Sequence, residues 1–246
     1  MTTTAAPREA PASNTSGPPV PPPRNWLAAV TLVTLVGTEV FSVLTSAPDR
    51  DMGNLEKILY IHVPCAWMAM CASLFVLIAS VGYLWKREEK YDFIAASAAE
   101  AGTLFTALTV LLGSIWARPT WGTWWTWDAR LTSTAVLLLI YLGYLALRAA
   151  TDDPERRARW SAAVGILGAI NAGIVYKSVV WWRTIHQIQS APSTMGIMYT
   201  WGLRLNAIAM LLVLAYFITA RYRAMCLARA AASLAEDAAL GRRVMA

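Results

Sequence analysis

The chain has 246 residues, 57% of them hydrophobic and 15% charged, with a mean hydropathy of +0.45. Soluble domains carry about 25% charged residues, so this balance excludes an ordinary water-soluble domain and indicates a membrane protein. The net charge of +6 does not mark a nucleic-acid partner, because Lys and Arg sit in short clusters between apolar runs, as on a cytoplasmic membrane face.

In chain order, residues 1–24 read as a disordered, solvated tail. The run Gly17-Pro18-Pro19-Val20-Pro21-Pro22-Pro23 cannot form a helix and favours an extended polyproline conformation. A PxxP ligand is its other reading, and a signal peptide is not expected, since prolines stand where a basic leader should meet an apolar core. Six apolar segments follow, at about 26–45, 58–85, 93–116, 131–149, 160–182 and 199–221. Each approaches the roughly 20 residues that span a bilayer as a helix. Short connections predict antiparallel neighbours in one bundle, and no strand pattern competes. The expected fold is an all-α polytopic membrane protein: a six-helix transmembrane domain over 25–222, with a basic tail over 223–246.

Orientation follows from the cations. With the N-terminus inside, inner segments hold 14 of the 21 Lys and Arg residues, among them Arg24, Lys86, Arg87, Lys90, Arg148, Arg156, Arg157, Arg159 and Arg221. The outer side holds 7: Arg50, Lys57, Arg118, Arg130, Lys177, Arg183 and Arg204. Both termini are therefore expected in the cytoplasm. Cys65 and Cys71 lie six apart on one predicted helix and point to different sides, so no bridge is expected between them, and Cys226 falls in the basic tail. With no Cys-x-x-Cys, the chain is neither a thiol redox protein of that kind nor itself a c-type cytochrome.

The second outer loop reads Trp121-Gly122-Thr123-Trp124-Trp125-Thr126-Trp127-Asp128, four of the chain's 12 tryptophans within eight residues. Four indoles present roughly 600–1,000 Å² of aromatic surface, more than a soluble monomer leaves bare. As a helix the stretch would align Trp121, Trp124, Trp125 and Asp128; extended, it would align Trp121, Trp125 and Trp127. Gly122 allows close backbone approach to a ligand. The chain's two histidines fall at the same depth: His62, ahead of Pro64 in the expected first turn of helix two, and His186, just past helix five. A haem would use this whole set. Imidazole nitrogens suit its iron, indoles its porphyrin, and Arg or Lys its propionates.

The motif Trp121-Gly122-x-x-Trp125-x-Trp127-Asp128-Ala129-Arg130 resembles the "WWD" signature of haem-handling proteins in cytochrome c maturation. So do Tyr60-Ile61-His62-Val63-Pro64-x-Ala66-Trp67 and Ser178-Val179-x-Trp181-Trp182-x-Thr184-x-His186-Gln187. Over residues 26–220 the chain looks like a member of the CcmC family, and it lacks the extra helices and histidines of the larger CcmF and CcsA types. That resemblance implies a bacterial inner-membrane protein that binds haem b as cargo at its outer face. It implies His62 and His186 as axial ligands, Trp121, Trp125, Trp127 and Asp128 as a platform, and Arg130 as a nearby cation. Gly122, Trp124 and Lys57 complete the candidate haem-binding set. Where some relatives carry arginine ahead of the first histidine, Lys57 offsets a propionate without the bidentate fork. The implied partners are the haem chaperone CcmE, the ABC transporter components CcmA and CcmB, the small CcmD, and membrane lipid.

Plainer readings stand beside these. The tryptophans read as an interfacial belt, Asp128 as the N-cap of helix four, and Arg118 and Arg183 as headgroup contacts. Glu100 snorkels to the near interface, Glu39 has no assigned role, and Cys65 and Met68 are core. The alternative functions are a bis-histidine b-type electron-transfer subunit, or a haem permease subunit of an ABC transporter. No Walker motif is present, so the chain is not itself an ATPase, and no catalytic motif marks it as an enzyme.

Overall fold

The computed structural model describes residues 17–50, 52–186 and 196–241. Among them are six helices long and apolar enough to cross a membrane: α1 (Asn25–Thr45), α2 (Leu59–Lys86), α3 (Glu89–Trp121), α4 (Ala129–Ala150), α5 (Pro154–Trp181) and α6 (Ile197–Ala239). The single extended pairing among the described residues is an isolated bridge between Asp49 and Gly53. The chain is an all-α polytopic membrane protein, as its composition predicts.

The helix limits have local causes. Asp128 caps α4 by accepting from the N–H groups of Arg130 and Leu131. Asp153 caps α5 in the same way, with Pro154 at the first helical position, where its missing N–H costs nothing. Gly122, at φ +76°, ends α3 in the left-handed region that a Cβ disfavours. Three limits depart from the sequence expectation. A 3-10 turn over Asn54–Ile58 leads into α2, so Pro64 falls in its second turn rather than its first. The Tyr60 carbonyl thereby loses its usual helical donor. Helix α3 runs on to Trp121, which makes the first tryptophan of the loop a helical residue. Helix α6 continues to Ala239, because the Ala-rich stretch beyond the membrane span keeps high helix propensity without needing lipid.

Helices α2 and α3 form the centre. α2 packs on α3, α5 and α6, α3 also packs on α4 and α6, and α1 lies outside against α6. One core joins Cys65, Met68, Ala69 and Ala72 of α2 to Ala101 and Phe105 of α3 and Met210 and Leu214 of α6. A second joins Val76, Ala98 and Ala99 to Leu137, Tyr141 and Tyr144 of α4 and Ala172 of α5. The small residues let helix backbones approach closely, which drives association where lipid removes any hydrophobic preference. The three cysteines are free.

Of the stretch expected as a disordered tail, residues 1–16 lie outside the described residues. Residues 17–24 run without helix along α6, where Arg223 donates from Nε to the Pro21 carbonyl at 2.9 Å.

Candidate functional site

The mouth at one end of the bundle is built from the α1–α2 connection, the end of α3, the loop 122–128 and the segment after α5. Neither expected conformation of the tryptophan stretch holds throughout. Trp121 belongs to α3, Gly122 turns the chain, and residues 125–128 are non-helical. Trp121 therefore parts from the others. Its ring packs edge-on against Trp116 at 5.5 Å and against His186 at 5.3 Å. Trp125 and Trp127 pair with each other at 6.0 Å, which fits the extended alternative for those two residues. Trp124 is exposed, and Trp127 is 86% exposed. Trp181 and Trp182, edge to face at 5.8 Å, add further exposed indole at the end of α5.

His62 sits in the first turn of α2 and faces α3. A Cβ at Gly113 would lie 2.9 Å from His62 Cε1, so the absence of a side chain there makes room for the imidazole. The ring bonds to the backbone of Thr109, while its Nδ1 is buried without a partner. His186 also leaves a buried, unpartnered Nδ1. Burial, then the positive charge of Arg130, push His186 down to about 4, and His62 adds to the effect while Asp128 opposes it. The two histidines, from α2 and from the segment after α5, thus converge on one mouth. At neutral pH the His186 imidazole is uncharged, with a nitrogen lone pair free.

Asp128 ties the two loops together. Its side chain is 4% exposed. One carboxylate oxygen accepts from the N–H groups of Arg130 at 2.8 Å and Leu131 at 3.3 Å, and the other from the N–H of Ile185 at 2.9 Å. Thr184 bonds to the carboxylate as well, and its hydroxyl accepts from the His186 N–H at 3.1 Å. Burial alone would raise this carboxyl, but the bonds from Thr184, Ile185, Arg130 and Leu131 outweigh it and hold it below the usual range. His186 Nδ1 stands 3.9 Å from Asp128, beyond hydrogen bonding, and a neutral ring makes no ion pair. Asp128 acts on His186 through the backbone.

The cations divide. Arg130 reaches the Tyr176 carbonyl at 3.5 Å and keeps its buried Nε unpartnered. Lys57 donates to the Val43 carbonyl at 2.8 Å, which ties it to the end of α1. Arg118 bonds to the Gly122 carbonyl and closes its own helix end, and Arg183 is exposed. Sequence reasoning missed Gly113, Trp116, Thr109 and Thr184. Only Thr184 lay within a quoted motif, and the others enter through the packing of α3 against α2 and the loop.

No group of three or more His, Cys, Asp or Glu able to hold a bare metal ion exists among the described residues. Two imidazoles with unpartnered nitrogens could supply at most two ligands, so a metal held here would have to bring its other ligands with it. A broad apolar carrier of that metal suits the exposed indoles.

The family model described as "Heme exporter protein C" matches residues 20–237. Among curated relatives, the chain is similar to "Heme exporter protein C" of Bradyrhizobium diazoefficiens, 46% identical over 162 residues, which covers 66% of this chain and 61% of that one. The protein of the same name from Escherichia coli K12 is 39% identical over 164 residues, 66% of each chain. That from Rhodobacter capsulatus is 34% identical over 163 residues, 66% of this chain and 67% of that one. The match thus spans just under two thirds of the first two relatives' lengths, while the family model takes in the mouth and all six helices. The chain belongs to the heme exporter protein C family.

Proposed function

We propose that the chain binds haem b at its outer, periplasmic mouth and releases it to a haem chaperone of the CcmE kind during maturation of c-type cytochromes. The observation that carries this reading is the approach of His62 to His186, near enough to interact electrostatically, each with an unpartnered ring nitrogen, with His186 packed on Trp121 at a mouth that carries exposed indoles. Haem is cargo, and its iron accepts two nitrogen ligands. His62 is held by helix packing, whereas His186 is held by a loop that Asp128 pins. The pair therefore combines a fixed ligand with a releasable one. Trp124 and Trp127, at the solvent edge, give a partner access to the cargo. Arg130, with its free Nε, is the cation best placed for a propionate. Lys57 and Arg118 each spend one donor on a backbone carbonyl, Val43 and Gly122, which ties them to their own helix ends.

The chain works as a carrier without covalent catalysis of its own. Its family name supports partners from the same maturation system, for which CcmA, CcmB and CcmD are the specific candidates. The b-type electron-transfer alternative gains nothing, because both histidines open onto one mouth instead of pairing at successive depths. The direct experiment is the absorption spectrum of the purified protein loaded with haem. A bis-histidine spectrum is expected, with substantial loss in His62→Ala and in His186→Ala. Unchanged spectra in both variants would sink the ligand assignment.

A further inference from the structure

At the end of the bundle opposite the tryptophan loop, a groove of about 450 Å³ opens between α3, α4, α5 and α6. Its size falls in the roughly 300–1,000 Å³ range of small-ligand sites. Three arginines line it, Arg148, Arg157 and Arg221, with Glu100 between them and Leu145 and Ala149 on the α4 side.

Two of these cations are already satisfied. Arg148 forms a two-pronged pair with Asp92, and Arg221 does the same with Glu100, where its Nη2 lies 2.8 Å from Oε1. Arg157 has neither. Among the described residues its guanidinium makes no ion pair or hydrogen bond, and its Nε is buried and bare. A buried guanidinium nitrogen without an acceptor loses hydration with no compensation, which is costly unless a ligand supplies an acceptor. With the other charges paired off, the groove carries one uncompensated positive charge. Its apolar α4 wall, Leu145 and the exposed Ala149, continues onto the bundle's flank.

We infer that this groove is a phosphate site and that the phosphate belongs to the headgroup of an anionic phospholipid, held by Arg157 with its chains along α4. A phosphodiester carries one negative charge and acceptor oxygens for the unpaired Arg157 guanidinium, and the apolar wall suits acyl chains in a way that a free phosphate does not need. The basic rim of the same end strengthens the local attraction. Lys86 and Lys90 flank Tyr91 at 5.6 and 5.0 Å, and Arg156 lies over Trp160 at 5.7 Å, side chains suited to the polar–apolar boundary.

The test is native mass spectrometry of the full chain in mild detergent, with phosphatidylglycerol or phosphatidylcholine added at equal concentration, beside a separate titration with inorganic phosphate. The unaltered chain is expected to retain phosphatidylglycerol about fivefold over phosphatidylcholine, as one arginine at an anionic headgroup should give. Arg157→Gln should bring that ratio near parity. Arg159→Gln removes the same charge from the same helix, but from a residue already paired with Glu155, and should leave the ratio intact. Ala149→Glu, at an exposed helical position, should abolish the preference without touching any packed contact, so the result does not hang on folding of the Arg157 variant. Equal losses in the Arg157 and Arg159 variants would reduce the effect to diffuse surface charge and overturn the site. Arg157-dependent binding of inorganic phosphate with no lipid preference would overturn the headgroup as its source.

Discussion

Gly113 shows how closely the histidine pocket is shaped. In an exposed helix interior, Gly→Ala stabilises by roughly 1 kcal/mol. At this position the new Cβ would stand 2.9 Å from His62 Cε1, closer than side-chain carbons normally approach. Gly113→Ala should therefore keep or raise thermal stability while displacing the imidazole. A severalfold loss of haem affinity in titration, with unchanged helical circular dichroism, is the expected result. Retained affinity would mean that the ring can move without consequence. His186 supplies a second residue-scale prediction, in pH. The closed loop holds its imidazole neutral down to about 4, whereas a freed imidazole protonates near 6.5. Between those values the open loop binds a proton that the closed loop does not, so the closed form is fully favoured above 6.5 and loses ground as pH falls toward 4. Haem release should accelerate over that window, and His186→Ala should flatten the dependence. A dissociation rate with the same slope in that variant would assign the titration elsewhere. The histidine pair and the Asp128 cap were legible in the sequence, because each is a distinctive residue at a predictable end of a helix. Gly113 and Trp116 were not. They lie 51 and 54 positions from His62 and meet the site only once α3 packs on α2 and on the loop.

At the scale of elements, a bilayer-length apolar run announces a span but not the full helix. Six spans were legible, while α3, α5 and α6 extend past their apolar cores into polar or alanine-rich flanks that remain helical in water. The extensions matter for function, since the last turns of α3 carry Trp121 and Trp116 to the mouth. Buried polar links between elements were not legible at all. Arg148 of α4 pairs with Asp92 of α3 at 2.5 and 2.9 Å, with side chains 11% and 6% exposed, and lies 5.8 Å from the Tyr144 ring. From sequence, Arg148 reads only as one of the inner cations, and nothing marks Asp92 as its partner. Removing one partner of such a pair strands the other, at about 3–5 kcal/mol, whereas replacing both with apolar groups of similar volume is often near neutral. Arg148→Ala should therefore lower unfolding stability in mixed micelles by an amount in that range, and Arg148→Met with Asp92→Leu should recover most of it. Equal destabilisation in the single and double variants would mean that the pair itself, rather than the stranded charge, holds α3 to α4.

For the molecule as a whole, two ends of different chemistry follow from one asymmetry in the sequence. Indoles, both histidines and half-occupied cations gather at one mouth, while the paired arginines and the lysine-rich rim gather at the other. Six crossings would put residues 17 and 241 on the same side of the membrane, and the 14-to-7 excess of Lys and Arg is the ground on which we propose the cytoplasm as that side. The 43 residues of α6 extend the assignment: at about 1.5 Å per residue it runs roughly 65 Å, twice the hydrocarbon thickness, so its far end projects well clear of the bilayer. A reporter fused after Gly241 is therefore expected to be active only in its cytoplasmic form, and one inserted after Thr123, in the tryptophan loop, only in its periplasmic form. The paired fusions discriminate, because an inverted bundle exchanges both signals while a missed crossing changes only one. Inversion would place the histidine mouth in the cytoplasm, out of reach of a periplasmic chaperone, and would end the proposed hand-over. The groove around Arg157 would survive inversion as a lipid site, since it depends on local charge and not on which leaflet it faces.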